Sequence, residues 1–264
     1  MQNRTFTDQL NRQVSIPYPP SRIISLVPSQ TELLFYLGLD QKIVGLTKFC
    51  IYPEDKFKSV TKIGGTKKLK LNLIRELKPD LIIGNKEEND QDQINELCKE
   101  FPVWMSDIFN LDDALNMISS AGEIVNKNEE ALKLRSGISS EFNKLVLLDS
   151  VTRDKNLRVG YLIWKDPYMI AAHGTFINDI LLRAGLKNAF DLQRYPQVGL
   201  ADIQRANPNF IFLSSEPYPF KEKHIIEFQK ICPDAKILIV DGEMFSWYGS
   251  RLLLAPAYLK NLML

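Results

Sequence analysis

The most regular pattern of apolar and polar positions lies in residues 128–151, near the middle of the chain. Its apolar residues recur at spacings of three and four, which places them on one face of a helix: Leu134, Ile138, Phe142, Leu145 and Leu148. At about 1.5 Å per residue, such a helix would be roughly 35 Å long. Gly137 is its only glycine, and one glycine costs a helix about 1 kcal/mol without ending it. The pattern predicts a stiff rod between the flanking segments, with an ordinary amphipathic core helix as the alternative.

Strand patterns and helix patterns alternate on both sides of this helix. Before it we expect strands at 22–27, 42–47, 81–84 and 103–105, and helices at 71–77, 91–99 and 112–125. After it we expect strands at 157–164, 210–214 and 236–240, helices at 175–184, 200–206 and 221–230, and a final helix that begins near Arg251. Such alternation is typical of a parallel sheet with helices on its faces.

The first strand-to-helix turn carries local signals of its own. Ser29 is expected to be the N-cap of a helix, with Glu32 as its capping-box partner, and Gly38 is expected to end that helix. Ahead of the first strand, the prolines between residues 17 and 20 predict an extended polar arm.

These elements predict an α/β fold in which two Rossmann-like lobes are joined by a single long backbone helix. The expected domains are an N-terminal arm (1–20), an N-terminal lobe (21–108), linking helices that include the backbone helix (109–155) and a C-terminal lobe (156–264). Ligands of open α/β sheets bind beyond the carboxyl ends of the strands, so two such lobes predict a ligand cleft between them.

A short internal repeat supports the idea of two similar lobes. Residues 71–88 align with residues 200–217 without a gap, and each copy reads as a helix, a Pro-Asp or Pro-Asn corner and a buried strand. Glu87 and Glu216 fall at matching positions just past the two strands. The alternative is that any two helix-to-strand units share this spacing.

Composition and charge narrow the range of functions. The chain has 264 residues, a hydrophobic fraction of 45% and a net charge of +1, which predict a globular protein without the basic surface that nucleic acid requires. No apolar run is long enough to span a bilayer. Three cysteines without a CxxC pair predict buried thiols and not a disulfide framework, and their redox state is left open: Cys50, Cys98 and Cys232.

Candidate catalytic and metal-binding patterns are sparse. His173 and His224 are the only histidines, and neither lies in an HxH or HExxH spacing. No GxSxG elbow and no GxxxxGK[ST] loop occurs. We therefore expect neither an enzyme nor a catalytic cofactor, and a direct metal-ion receptor is a minor alternative.

Four segments, taken in order, resemble a known family: RIISLVPSQTELLFYLGL, IVGLTKFCIYP, IGGTKKLKLNLIRELKPDLIIGNKEEN and DGEMFSWYGSRLLLA. They are similar to the substrate-binding proteins of cobalamin and ferric-siderophore ABC importers, and the cobalamin receptors are the most similar. The likeness covers roughly residues 21–260. It implies two α/β lobes bridged by one stiff helix, and a shallow cleft that holds a bulky macrocycle or chelate with little closure.

The resemblance also implies a ligand site rich in aromatic residues. Phe49 matches a tyrosine that contacts the corrin, residues 243–247 match the binding loop of the second lobe, and Thr66 replaces a tryptophan. The adjacent Gly64-Gly65 pair predicts a backbone that closely approaches another group. The expected ligand-binding residues are Phe49, Tyr52, Gly65, Thr66, Glu243, Met244, Phe245, Ser246 and Trp247. Tyr248 is also expected to face the ligand, whereas Tyr161 and Trp164 are expected in the core.

A ferric siderophore or haem is the alternative ligand. Such chelates are often anionic, and they would call for a donor such as Arg194 or Arg251.

The resemblance further implies docking to the permease through one acidic residue in each lobe. Glu87 and Glu216 are the expected docking residues, with Glu88 as a substitute for Glu87, and solvated surface glutamates are the alternative. We expect a monomer that works in the periplasm. Residues 1–13 lack the apolar core of a secretory signal, which leaves a cytoplasmic relative open.

Overall fold

A computed structural model describes residues 2–152 and 156–263 of the chain. The side chains of residues 146–152 and of Met263 are outside this description, and the predicted apolar position Leu148 falls among them.

Strands and helices alternate over most of the described chain. The strands are β1 (Gln2–Thr7), β2 (Gln13–Tyr18), β3 (Ile23–Ser25), β4 (Ile43–Leu46), β5 (Thr61–Lys62), β6 (Gly64–Gly65), β7 (Lys68–Leu69), β8 (Leu81–Asn85), β9 (Val103–Ser106), β10 (Arg158–Trp164), β11 (Met169–Ile170), β12 (Lys187–Asn188), β13 (Phe210–Ser214) and β14 (Lys236–Val240). The α-helices are α1 (Pro28–Tyr36), α2 (Leu71–Leu77), α3 (Gln91–Cys98), α4 (Leu111–Ile124), α5 (Asn128–Thr152), α6 (Phe176–Arg183), α7 (Leu200–Ala206), α8 (Glu222–Ile231), α9 (Glu243–Ser246) and α10 (Ala255–Met263). No helix in the described residues is both long enough and apolar enough to cross a membrane.

The chain divides into two compact units. Unit 1 consists of Met1–Ile108, Asp112–Gly137 and Trp247–Arg251, and unit 2 of Phe109–Leu111, Ile138–Ser246 and Leu252–Leu264. The segment Trp247–Arg251 thus groups with unit 1, although its sequence position places it in the expected C-terminal lobe. The linear domain limits expected from the sequence stay a prediction.

Each unit is built on a mainly parallel sheet. In unit 1 the strand order is β5-β4-β3-β8-β9 and every pair is parallel. In unit 2 the order is β11-β10-β13-β14; β12 also pairs with β10, and only β11 is antiparallel. Strands β3, β8 and β9 are buried along their whole length, as parallel strands covered on both faces must be. The predicted α/β class is confirmed.

The long helix is α5, which covers the predicted residues with one more at its carboxyl end. Leu134, Ile138, Phe142 and Leu145 are all buried, so the apolar stripe has the predicted role over its described part. The boundary between the two units falls inside this helix, after Gly137.

The internal repeat is present in the structure, with one copy in each unit. Helices α2 and α7 both have seven residues, and strands β8 and β13 both have five. Ile74 and Ile203 are both buried at matching positions. Each helix ends in a left-handed residue, Lys78 with φ 45° and Asn207 with φ 43°.

A matched polar contact fixes the start of each repeated strand. In unit 1 the Asp80 carboxylate accepts the backbone N–H of Arg22 at 2.8 Å, and in unit 2 the Asn209 side-chain oxygen accepts that of Arg158 at the same distance. The repeat therefore reaches beyond apolar spacing to individual hydrogen bonds.

Two local expectations from the sequence are wrong. The N-terminal residues form the antiparallel hairpin β1-β2 and not an extended arm, because Phe6, Val14 and Ile16 alternate with polar residues and are buried. Ser29 is not a cap either. Helix α1 begins at Pro28, a residue that suits the first position of a helix, and its N-cap is Val27, two residues before Ser29.

Burial also corrects two expectations about single residues. Cys50 and Cys232 are buried free thiols, as predicted, but Cys98 is free and exposed at the end of α3. Tyr161 lies in the core, whereas Trp164, the last residue of β10, is 40% exposed.

Candidate functional site

An exposed group of apolar side chains lies just after strand β4 in unit 1. Phe49, Ile51 and Tyr52, which we call the aromatic patch, are 50%, 43% and 37% exposed. Large side chains that are exposed side by side are uncommon in soluble proteins and mark binding surfaces. The patch follows the carboxyl end of a parallel strand, which is where ligands of α/β sheets bind.

The turn that carries the patch is anchored from below by Cys50. The Cys50 thiol is buried and lies 3.1 Å from the Thr31 hydroxyl and 3.3 Å from the Thr47 hydroxyl. Burial raises the pKa of this thiol and keeps it neutral. Because Cys50 points inward, its neighbours Phe49 and Ile51 point outward.

Gly65 forms the floor beneath Phe49. A Cβ atom at Gly65 would lie 3.1 Å from Cε2 of the Phe49 ring and 3.6 Å from Cε of Lys48. The close approach predicted for the glycine pair is therefore present, and the group approached is the patch itself. Its partner Gly64 has φ +108°, which L side chains rarely adopt.

Thr66 and Lys48 border the patch. Thr66 is half-buried, and its carbonyl oxygen accepts a hydrogen bond from the Asn89 amide at 3.1 Å. The Lys48 ammonium lies 4.9 Å from the centre of the Phe49 ring, within the range of a cation–π contact. The edge of the patch is thus cationic.

Behind Tyr52, an arginine and a second aromatic ring complete a cluster within unit 1. The Arg251 guanidinium carbon lies 4.2 Å from the centre of the Tyr52 ring and 4.7 Å from that of Trp247. The two rings meet edge to face at 5.9 Å. Trp247 is only 7% exposed, so it supports the patch more than it extends it.

The residues just before Trp247 belong to unit 2 and have different surroundings. Phe245 is fully buried, and the centre of its ring lies 5.0 Å from Tyr161 and 6.0 Å from Phe212. The ligand contact expected of Phe245 is therefore corrected to a core position, because the phase of α9 turns this ring inward. Tyr248 is buried as well.

The other residues of the expected loop are half-buried. The backbone N–H of Glu243 donates to the Asp241 carboxylate at 3.1 Å, and the Ser246 hydroxyl donates to the Glu216 carboxylate at 3.0 Å. Met244, which follows Glu243 in α9, is half-buried too. A role in ligand binding stays a prediction for these three positions.

The matched glutamates lie in similar turns. In unit 1 the Asn85 side-chain oxygen accepts the backbone N–H groups of Glu87 at 2.9 Å and Glu88 at 3.1 Å. In unit 2 the Ser214 hydroxyl accepts the N–H of Glu216 at 3.4 Å. Asn85 and Ser214 are the last residues of the two repeated strands, so the acidic side chains start from equivalent places in both units.

The two histidines have structural surroundings. His224 is buried near the start of α8, where its Nδ1 accepts the backbone N–H of Lys221 at 2.8 Å. Burial lowers its pKa, and the nearby cations Lys165 and Lys223 lower it further. The Nε2 atom of His173 lies 3.9 Å from the Asp191 carboxylate. Among the residues that the structure describes, no group of three or more His, Cys, Asp or Glu side chains could hold a metal ion.

Unit 2 has an exposed aromatic contact that the sequence reasoning missed. The Arg194 guanidinium carbon lies 5.1 Å from the centre of the Phe109 ring and 5.6 Å from that of Tyr195. Phe109 is 37% exposed. It follows strand β9 by three residues, and a search for aromatic residues just past strand ends would have found it.

Comparison with known proteins places the chain in a family. A sequence profile described as "Periplasmic binding protein" matches residues 23–230. The chain belongs to the periplasmic binding protein family. Within this family, a vitamin B12-binding protein of Pectobacterium carotovorum is 25% identical over 239 residues, which is 89% of this chain and 86% of the relative. A Bacillus subtilis protein described as an uncharacterized ABC transporter substrate-binding lipoprotein is 27% identical over 78% of this chain and 68% of its own length.

Solved structures show the same fold. The vitamin B12-binding protein BtuF of Vibrio cholerae superimposes with a TM-score of 0.79 at 23% identity, over 94% of this chain and 99% of its own. The haem-binding protein RhuT of Roseiflexus gives a TM-score of 0.79 at 20% identity, over 92% of this chain and 96% of its own. The siderophore-binding protein BauB, in complex with ferric acinetobactin, gives 0.79 at 18% identity, over 98% of each chain. The family likeness expected from the sequence is confirmed, and these neighbours differ in what they bind.

Proposed function

We propose that this protein is a receptor that binds a cobalamin or a related corrinoid and delivers it to an ABC importer. The observation that supports this most directly is the aromatic patch, whose three side chains are exposed and whose Phe49 ring lies against the Gly65 backbone. A corrin ring presents broad apolar faces, and rigid aromatic side chains cover such faces at a small cost in conformational entropy. The names of the curated relatives, which include vitamin B12-binding proteins and an ABC transporter lipoprotein, support the same function.

No covalent chemistry is part of this proposal, and the corrinoid is cargo and not a catalytic cofactor. None of the relatives named above is described as an enzyme.

Titration calorimetry tests the proposal with a panel of cyanocobalamin, other corrinoids, haem and ferric siderophores. We expect saturable binding of the corrinoids at one site, together with a raised melting temperature at saturating ligand. Failure of every member of the panel to bind would overturn the receptor function.

One observation favours a second candidate, an anionic ring system such as haem or a ferric chelate. Lys48 borders the Phe49 ring, and no carboxylate in the described residues lies within ion-pair distance of its ammonium. A ligand with an apolar ring and carboxylates on its rim would stack on the Phe49 ring and pair with the Lys48 ammonium. Replacement of Lys48 by Met should then weaken haem binding and leave cyanocobalamin, whose rim carries mostly neutral amides, nearly unaffected.

Arg251, one of the two arginines expected as donors to an anionic ligand, already binds a carboxylate of this protein. Arg251 makes two hydrogen bonds to Glu32, at 2.7 and 3.0 Å, and is only 11% exposed. Lys48 is therefore the better candidate donor in unit 1.

We further propose that Glu87 and Glu216 dock the loaded receptor onto its permease, with Glu88 able to replace Glu87. Support comes from the equivalent turns in which the internal repeat holds them. A permease with two similar subunits presents the same basic surface twice, so a repeated carboxylate matches a repeated partner. Charges at the rim of an interface mainly steer association and set orientation.

The location follows from the same function. We propose that the protein works as a monomer outside the inner membrane, supported by its family and by the description of one relative as a lipoprotein. Fractionation of native cells tests this, and recovery in the cytosol alone would exclude the importer function.

A further inference from the structure

A largely buried ion pair lies behind Tyr52 of the aromatic patch. The Arg251 Nη2 and Nε atoms donate to Oε2 of Glu32 at 2.7 and 3.0 Å, and the Ser250 hydroxyl donates to Oε1 at 3.3 Å. The two charged side chains are only 11% and 18% exposed. Separation of the two charges would leave each of them buried without a partner, which is costly. The carboxylate of Glu32 therefore holds the Arg251 guanidinium in one position.

The same guanidinium contacts both aromatic rings of the cluster. Its central carbon is within 6 Å of the centres of Tyr52 and Trp247, at 4.2 and 4.7 Å, and the rings also touch each other. A planar guanidinium can stack on a ring while its edge binds a carboxylate, which an ammonium group cannot do. The position of each ring therefore depends on where Glu32 holds Arg251.

The segment that carries Trp247 is seated on α1 by a glycine. A Cβ atom at Gly249 would lie 2.8 Å from the Ser29 carbonyl oxygen, so no larger residue fits without a shift of the backbone. Glu32 is one turn further along the same helix. The contact with Ser29 fixes Gly249, and the ion pair with Glu32 fixes Arg251. Trp247 lies only two residues before Gly249, so its backbone is held by the same contacts.

We propose that the Glu32–Arg251 pair positions Tyr52 and Trp247 behind the ligand-binding face, and that Arg251 is a positioning residue and not a ligand donor. This inference rests on the proposed receptor function. Tyr52 is 37% exposed, whereas Trp247 is 7% exposed, so Tyr52 presents a face to the ligand and Trp247 and Arg251 lie behind it. The sequence alone suggests the opposite role for Arg251, because an arginine beside aromatic residues is also a common anion donor.

Two variants test the inference. Arg251→Lys keeps the charge but loses the planar fork, and Glu32→Gln keeps the shape and hydrogen-bonding capacity of the side chain but loses the charge. The matched control is Arg75→Lys, which disturbs a partly exposed pair with Glu96 and Glu100 elsewhere in unit 1. Cyanocobalamin and haem are titrated into each protein, and fluorine NMR of fluorotryptophan-labelled protein reports the environment of Trp247, whose signal is assigned with Trp247→Phe.

We expect Arg251→Lys to weaken binding of the preferred ligand about tenfold, because the Tyr52 ring is then no longer held in the position that presents it to the ligand. The Trp247 signal should shift in Arg251→Lys and in Glu32→Gln and stay in place in the control. If Arg251→Lys does not fold, Glu32→Gln carries the same comparison.

Three results would overturn the inference. Unchanged affinity together with a shifted Trp247 signal would show that the ring position does not affect binding. Weakened binding with an unshifted signal would make Arg251 a direct donor. An unshifted signal with unchanged affinity would remove both roles. If the parent protein binds neither these probes nor any other member of the panel, the receptor proposal fails by itself, and the Trp247 signal still decides whether the ion pair positions the ring.

Discussion

Replacement of Phe49 by Ala should weaken ligand binding more than any other single change in the aromatic patch. Phe49 is the most exposed member of the patch, at 50%, and its ring is held from below by Gly65 and from the side by Lys48. The exposed half of the ring is therefore free to be covered by a ligand.

The size of the effect follows from the area. A phenylalanine buries about 200 Å² when fully covered, so the exposed half offers about 100 Å² to a ligand. At about 25 cal/mol per Å², this is worth about 2.5 kcal/mol, or roughly 60-fold in affinity. The half that is already buried makes the change costly for folding too, by about 2 kcal/mol, which is roughly half the cost at a fully buried site.

Calorimetry with the preferred ligand and a melting curve separate the two effects. The matched control is Leu132→Ala, because Leu132 is 54% exposed on α5 and lies outside the patch. The control should keep the affinity of the parent. An affinity of Phe49→Ala within twofold of the parent would refute the idea that the patch is the contact surface.

Three further predictions follow from other parts of the structure. Gly65→Ala places a Cβ atom 3.1 Å from the Phe49 ring, so the ring must shift and calorimetry should show affinity falling several-fold with little change in melting temperature. The double variant Glu87→Ala/Glu216→Ala should lower ligand uptake by cells while the affinity in solution is unchanged. Burial lowers the pKa of His224, so the unfolded chain binds its proton more readily. The free energy of unfolding should therefore be undiminished above about pH 6.5 and fall as the pH drops below it. Melting temperatures should show this loss between pH 7.5 and pH 5.5, and His224→Gln should reduce it.

Each of these predictions has its own control. Gly199→Ala is the control for the glycine change, because its nearest neighbour would be 3.4 Å away, and a loss of affinity at both glycines would contradict the reasoning. The exposed residues Glu123 and Glu222 provide one alanine control in each unit for docking. The docking proposal is wrong if the double glutamate variant supports uptake equal to that of the parent or loses ligand affinity. An equal pH dependence with and without His224 would contradict the assignment of its pKa.

Much of the fold could be predicted from local patterns. Helices α2 and α7 and strands β13 and β14 have the expected bounds, because apolar spacing and the punctuation around each element agree. The repeat was also visible in the sequence, down to the acidic positions that follow each strand. The N-terminal hairpin was missed because a two-stranded ribbon is defined by its partner, and prolines near residues 17–20 hid the alternation before them.

The site was predictable only in part. The close approach at Gly65 could be expected from the Gly64-Gly65 pair itself, whereas Phe49 was identified through its likeness to a tyrosine of the cobalamin receptors. The pairing of Glu32 with Arg251 joins residues 219 positions apart, so no local pattern contains it. Whether Phe245 or Trp247 supports the patch depends on the phase of the four-residue helix α9, which one aromatic spacing does not fix.

Hydrogen–deuterium exchange with and without cyanocobalamin shows which backbone segments the ligand protects. We expect slower exchange at residues 47–53 and 64–68 of unit 1, with residues 243–251 as the expected third segment, in proportion to ligand occupancy. Saturable binding with protection confined to other segments, and none at residues 47–53, would contradict this expectation.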